Sequence, residues 1–201
     1  AASMGPRPYI GGIENVVDTL LRSRLADDFE LSVLDTYRAP DPERTTREKA
    51  VFAGRLLAEA HRAIRAFRPD LVHIHFCSKT DFWKHALCLL AARTRGIKTV
   101  FHLHGGTFDR FYAEQGAIGH VAIRRVFAAA DVIVALSERW RDFLQTFEDP
   151  ARVVVINNPI DCVRLAPRER LPGKSRPPDL LLLGSLGKRK GHFDAVQALP
   201  A

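Results

Sequence analysis

The sequence predicts an α/β fold: a doubly wound parallel sheet whose strands are joined by helices. Three observations point there. First, strand-like and helix-like apolar patterns alternate along the chain. Second, the strand-like runs are apolar through most of their length rather than alternating, as parallel strands covered on both faces tend to be. Third, a short loop and a helical stretch follow most of these runs, which is the order of a wound sheet.

The elements follow in order. The opening residues read as the tail of a strand. Ile13, Val16, Val17, Leu20, Leu21 and Leu25 keep a 3.6-residue spacing and predict a helix over 12–26. Glu14 in its first turn suits the positive end of the helix dipole. Leu31, Val33 and Leu34 predict a short strand. Val51, Phe52, Leu56, Ala60, Ile64 and Phe67 form one stripe of a helix over 45–67, which Pro69 ends. LVHIHF (71–76) is a strand before a helix at 81–94, and Gly96 closes that helix because a positive φ costs glycine little. KTVFHLH (98–104) is a strand, followed by a glycine-rich loop and a helix over 117–129. DVIVAL (131–136) is a strand before a helix capped by Ser137. RVVVINN (152–158) is another strand.

Residues 162–178 change character, with four prolines, five basic residues and no periodicity, and read as a linker. DLLLLGSL (179–186) predicts a new buried strand, GKRKG a loop and HFDAVQAL a helix. One strand and one helix cannot make a core. The expected organisation is therefore one Rossmann-like domain over 1–161, a linker over 162–178, and the incomplete opening of a second domain over 179–201.

Composition narrows the function classes. At 201 residues, 46% hydrophobic and 26% charged, the chain has globular composition. No run reaches the roughly 18–20 apolar residues of a membrane span. The start AASMGPRP lacks a basic and an apolar segment, so no signal peptide is expected. Cys77, Cys88 and Cys162 form no CxxC pair, which points to a reducing, cytoplasmic compartment. Net charge is +7, and it is uneven. Residues 71–110 hold 6 basic and 2 acidic groups, and residues 151–201 hold 9 and 4. That distribution suits an anionic partner. No nucleic-acid-binding signature accompanies it, so no nucleic acid is expected.

Ligands of open parallel sheets bind at the C-terminal ends of the strands. Gly11-Gly12 precedes the first helix, where backbone N–H groups and the helix dipole favour an anion. His73/His75 and His102/His104 end two strands as His-x-His pairs, each pair on one face. That spacing can chelate a metal, but no carboxylate completes a ligand set nearby. We therefore assign no metal, and read His73, His75 and His102 as core or supporting residues. His104 differs: it stands directly before Gly105-Gly106 and is the candidate to face substrate. Gly187-Lys188-Arg189-Lys190-Gly191 puts three cations before a helix start and suits a phosphate, without the spacing of a Walker A loop.

Six segments taken together, GGIENVV (11–17), PDLVHIH (69–75), KTVFHLHGG (98–106), ADVIVALSE (130–138), VINNPID (155–161) and LLLGSLGKRKG (181–191), resemble glycosyltransferase family 4. The resemblance covers nearly the whole chain but only the first half of the family's length. It implies a GT-B fold of two Rossmann-like domains, here the N-terminal one and the first strand–loop–helix of the second. It implies a retaining, metal-independent transfer of a sugar from a nucleotide diphosphate sugar to a glycan or lipid-linked acceptor. The nucleotide sugar is a co-substrate, and no cofactor is expected. By the same resemblance, His104 is the active-site histidine. Gly11, Gly12 and Lys190 meet the donor diphosphate, and Ser185 and Arg189 lie on the donor side. Ser185 stands where the family usually has Arg, and the family's glutamate pair falls beyond Ala201. The isolated chain is therefore expected to be inactive.

A peripheral place at the inner face of the cytoplasmic membrane is also expected, through Arg22, Arg24, Arg62, Arg65 and Arg68. Two rival readings stand beside this one. One is a metal-dependent hydrolase built on the His-x-His pairs; the other is a catalytically inactive GT-B-like binding protein.

Overall fold

A computed structural model describes residues 11–36, 45–162, 181–182 and 190–199. The chain divides into two compact units, 1–161 and 162–201.

In the first unit the helix over 12–26 is two helices, α1 (Gly12–Leu21) and α2 (Leu25–Asp28). Ser23 makes the break: its hydroxyl donates to the Leu20 carbonyl and accepts the Leu25 N–H, closing one helix and opening the next. The strand expected at 31–34 is absent. Residues 30–36 have no regular structure and pair with no described strand; at the segment's end Lys84 Nζ donates to the Thr36 carbonyl at 3.3 Å. Helix α3 (Thr46–Phe67) starts at a capping box, in which the Thr45 side chain and Glu48 serve each other's orphan donors. It ends on Arg68 at φ 52, just before Pro69.

The remaining elements alternate as expected: β1 (Leu71–Phe76), α4 (Thr80–Arg93), β2 (Lys98–Leu103), α5 (Phe108–Ala113), α6 (Ala117–Ala129), β3 (Val132–Ala135), α7 (Glu138–Leu144) and β4 (Val153–Val155). The four strands form one parallel sheet in the order β1-β2-β3-β4. This is a Rossmann-like α/β architecture. Short α5 is not marked by periodicity; two buried anchors, Phe108 and Phe111, make it.

Alternation divides the sheet's two faces. Ile74 and Phe76 on β1, Phe101 and Leu103 on β2, and Ile133 and Ala135 on β3 all enter one core with Leu56, Phe82, Leu89, Ile123, Phe127 and Leu144 from the helices. Its centre is aromatic. Phe76 stacks on Phe101 at 3.9 Å between centroids, and Phe82, Phe108 and Phe127 ring the pair. The opposite face of β1 and β2 carries the four histidines.

Two polar clamps hold the edge where the strands begin. The Asp131 carboxylate accepts the Thr99 N–H at 2.9 Å and the Thr99 hydroxyl at 3.0 Å, and pairs with Arg93 and Lys98. Arg152 donates to the carbonyls of Phe127, Ala128 and Ala130, satisfying the end of α6 that no side chain of its own caps.

Gly96 has φ 69, as the expected cap requires. In the second unit, α8 (His192–Gln197) follows Gly191 at φ 72. Leu181 and Leu182 are exposed and lack regular structure; the rest of the strand expected over 179–186 lies outside the described residues, as does most of the linker.

Phe76→Ala should lower the unfolding free energy by about 3–5 kcal/mol, the scale of an emptied aromatic core position. Val121→Ala, on the exposed side of α6, should change it by less than about 0.5 kcal/mol. Denaturant titration followed by circular dichroism separates the two.

Candidate functional site

The C-terminal ends of β1 and β2 open into two loops that lie against each other. The first, Cys77–Lys79, enters α4. Its Cys77 N–H donates to Asp81 Oδ2 at 2.7 Å, and Lys84 Nζ pairs with Asp81 Oδ1 at 2.9 Å. His85 reaches Asp81 as well, and its Nε2 lies 2.9 Å from the Thr36 hydroxyl. Burial works to raise the Asp81 carboxyl, but the His85 hydrogen bond and charge, Lys84 and the Cys77 N–H outweigh it and hold the group well below the usual carboxylate range. This network fixes a strained turn, since Lys79 sits at φ 61, where a side chain is costly.

The second loop, His104-Gly105-Gly106-Thr107, enters α5. The His104 N–H donates to the Phe76 carbonyl at 2.8 Å, carrying the ladder one residue past β2. A Cβ on Gly105 would lie 3.3 Å from the backbone of both Cys77 and Ser78, so this glycine allows the two loops to touch. Ser78 Oγ and Thr107 Oγ1, 3.2 Å apart, bridge them.

The four histidines are one cluster. His73 Nε2 lies 3.1 Å from His102 Nδ1, and His75 Nδ1 lies 2.9 Å from His104 Nε2. The rings lie close together; those of His102 and His104 have centroids 4.1 Å apart. Desolvation by burial holds all of them low: His73 to about 4, His102 to about 3 and His104 to about 4. For His75 burial is joined by the charges of its histidine neighbours, and the group falls to about 2. All four are neutral at pH 7. His73 has an exposed edge, so solvent reduces its depression most.

Of His73, His75 and His102, read as core or supporting residues, only His102 is fully buried. His102 is buried, at 4% exposure, while His75 is half-buried and His73 exposed. The alternating face that holds them is not covered by the helices of the phenylalanine core. His104 is half-buried, and the Asn158 side chain acts to raise its pKa against the larger effect of burial.

Asn158 went unnoticed in the sequence beyond its place in VINNPID. It follows β4, two strands away from β2, and only the sheet order brings it to His104. Nitrogens of His73, His75 and His102 lie within 4.8 Å of one another, a span that a divalent cation could gather; no carboxylate joins the set among the described residues. Cys77 is no thiolate nucleophile at neutral pH, since burial, Asp81 and Glu14 push it up to about 11.

The other expected site residues are placed as follows. Gly11 is the N-cap of α1, at φ −77, and Gly12 is its first residue. Neither needs a left-handed backbone. A Cβ on Gly11 would collide with the Glu14 carboxylate, which folds back over it. An anion arriving at this helix start would meet that carboxylate first. Glu14 also acts on Cys77, so the start of α1 lies within electrostatic reach of the β1–α4 loop. Lys190 is in the second unit, exposed, directly before Gly191 and α8. Ser185 and Arg189 lie outside the described residues. Arg62, Arg65 and Arg68 are exposed at the end of α3. No helix among the described residues is long and apolar enough to cross a membrane.

Comparison with known proteins yields three findings. The family model described as Glycosyltransferase Family 4 matches residues 10–164. Glycogen synthases from two strains of Mycobacterium tuberculosis, CDC 1551 / Oshkosh and ATCC 25618 / H37Rv, are each 28% identical over 145 residues, covering 68% of this chain and 33% of theirs. The chain thus spans about one third of the length of the curated relatives it matches. A crystal structure from Listeria monocytogenes, assigned as a UDP-N-acetylglucosamine 2-epimerase, aligns with a TM-score of 0.41 at 18% identity, over 69% of this chain and 33% of that one.

Two outcomes test this geometry. Gly105→Ala should displace the loop pair and lower both the melting temperature and ligand binding, because its neighbours are backbone. Gly106→Ala, whose Cβ meets nothing within 4 Å, should leave both nearly unchanged.

The second outcome concerns pH. The folded histidines titrate below the unfolded value of about 6.5, so between the two values the unfolded chain binds more protons. Their stabilising effect is complete above about pH 6.5 and is lost as pH falls towards about 4. Melting temperature should fall over that window, and more shallowly in His102→Asn.

Proposed function

We propose that this chain, which belongs to glycosyltransferase family 4, is the acceptor-side portion of a retaining transferase. In this reading the whole protein moves a sugar from a nucleotide diphosphate sugar to a glycan or lipid-linked acceptor without a metal. The observation that carries it is the position of His104, within the matched residues: it ends β2 beside Gly105, half-buried, at the end of the sheet where ligands of open parallel sheets bind. The relatives' name, glycogen synthase, favours a polysaccharide acceptor over a lipid-linked one.

The chemistry needs little from the protein beyond placement and charge. The C1–oxygen bond to the diphosphate breaks, and an acceptor hydroxyl attacks the same face of C1. Its proton passes to the departing phosphate oxygen. His104, neutral at pH 7, donates a hydrogen bond to the sugar near that centre. The N–H groups at Gly11-Gly12, once Glu14 swings aside, meet the developing diphosphate charge, and the family resemblance adds Lys190 as a diphosphate-binding cation and Ser185 and Arg189 as donor-side residues. Fixed donors and cations of this kind stabilise a leaving group as a metal does. Arg62, Arg65 and Arg68 supply charge for weak contact with an anionic membrane surface.

In the full-length protein, His104→Ala should reduce turnover about 100-fold while shifting the melting temperature little. Exhaustive treatment with a chelator should leave turnover unchanged. Normal turnover of His104→Ala overturns the assignment. Activity lost to chelation and restored by zinc favours the hydrolase built on His73, His75 and His102 instead.

A further inference from the structure

We propose that His73, His75 and His102 form a binding site for a divalent transition-metal ion such as zinc, and that the bound ion switches His104 off. The binding stands on the geometry of the three rings. The inhibition rests on the reading of His104 as the group that touches substrate.

The donors come first. The parallel register sets His75 directly beside His102, and His73 lies two residues back along β1 on the same face. One nitrogen from each of the three rings lies within 4.8 Å of the other two. His73 Nε2 and His102 Nδ1 are 3.1 Å apart. Ligands of a tetrahedral zinc, with bonds of about 2.0–2.1 Å, stand about 3.3 Å from one another. One pair of ring nitrogens thus has nearly the spacing that a metal needs. The widest pair must close by up to about 1.5 Å, a movement that side-chain torsions supply. A carboxylate is not required, since three imidazoles and a water fill the sphere of zinc.

A second observation is independent of that spacing. His102 is 4% exposed, and its Nε2 is buried with no hydrogen-bond partner among the described residues. Its ring neighbours those of His73, His75 and His104, with centroids 5.3, 5.1 and 4.1 Å away, so the orphan atom belongs to the cluster. Buried polar atoms are nearly always served. The contacts that the histidines make with one another therefore leave the cluster unsatisfied, and His102 open to a ligand. No assignment of protons is needed for this. A neutral imidazole has one lone pair whichever nitrogen carries its hydrogen, and a metal takes that lone pair.

Donor chemistry selects the ion. Imidazole nitrogens suit zinc, nickel and copper, whereas magnesium, calcium and manganese favour oxygen ligands, and no carboxylate joins this set among the described residues. Exposure is graded, from His73 at the surface through half-buried His75 to buried His102. That gradient gives the ion a path inward from solvent.

The effect on His104 follows from His75, whose Nδ1 lies 2.9 Å from His104 Nε2. Drawing the three ligand nitrogens together moves the His75 ring and alters that contact. A misplacement of about 1 Å can cost about 100-fold in rate, so the ion lowers turnover without touching substrate.

The test uses the full-length protein, freed of metal. Calorimetric titration with zinc should show one tight equivalent, and cobalt should give the visible spectrum of a four-coordinate site. His73→Ala and His102→Asn should each weaken that equivalent at least about 10-fold, because loss of even an outer partner of a metal ligand costs that much. His61→Ala, on α3 and outside the cluster, should bind zinc as the natural protein does. Magnesium in excess should not displace cobalt. Saturating zinc should lower kcat of the natural protein about 10- to 100-fold. The same zinc concentration should lower kcat of His73→Ala much less, each rate being compared with its own metal-free value. Zinc that does not bind, or that binds equally to the natural protein and His73→Ala, overturns the site. If His102→Asn does not fold, His73→Ala decides alone, since His73 is exposed. Zinc bound at the cluster with kcat unchanged or raised overturns the inhibition. If His104→Ala turns over normally, the reading of His104 fails, and the calorimetry still decides the site.

Discussion

The pleat of the β1–β2 pair is the constraint on which the rest depends. Side chains alternate between faces with a period of two, so sending Ile74, Phe76, Phe101 and Leu103 into the aromatic core commits His73, His75, His102 and His104 to the other side. The two sets cannot be changed independently. A slip of one residue in either strand would bury imidazoles among phenylalanines and expose the core. The core on one face therefore holds the histidine cluster in register on the other. Five closely packed phenylalanines make that registration stiff.

The site is built outward from this pair. The Phe76 carbonyl receives the His104 N–H, which extends the ladder just far enough to fix the last histidine. Gly105 then lets the β2–α5 loop lie against the β1–α4 loop, where a side chain would not fit. The Asp81, Lys84 and His85 network holds that first loop in the conformation that Lys79 would otherwise resist. Each step trades local freedom for placement.

Electrostatics give the cluster its character. Four imidazoles so close together cannot all be charged, and burial lowers each one further. At neutral pH they form a set of directional hydrogen bonds with no net charge. In the same unit the Glu14 carboxylate stands over Gly11 at the start of α1.

The chain's order of strands and helices was legible in its residues alone. Period-two and period-3.6 apolar patterns are local consequences of where side chains point, so β1, β2, α3, α4 and α6 and the Ser137 cap were predicted close to their observed limits. The place of His104 at the end of a strand was legible too, from the two glycines that follow it. What the residues did not disclose depends on partners distant in sequence. Residues 31–34 have the composition of a strand, but they pair with none of the described strands. His73 and His102 have the same local pattern, yet one is exposed and the other buried, because exposure depends on what lies across the sheet. Asn158 meets His104 only because parallel order brings the end of β4 to the end of β2. Local sequence sets the direction of each side chain, and tertiary structure alone decides what that side chain meets.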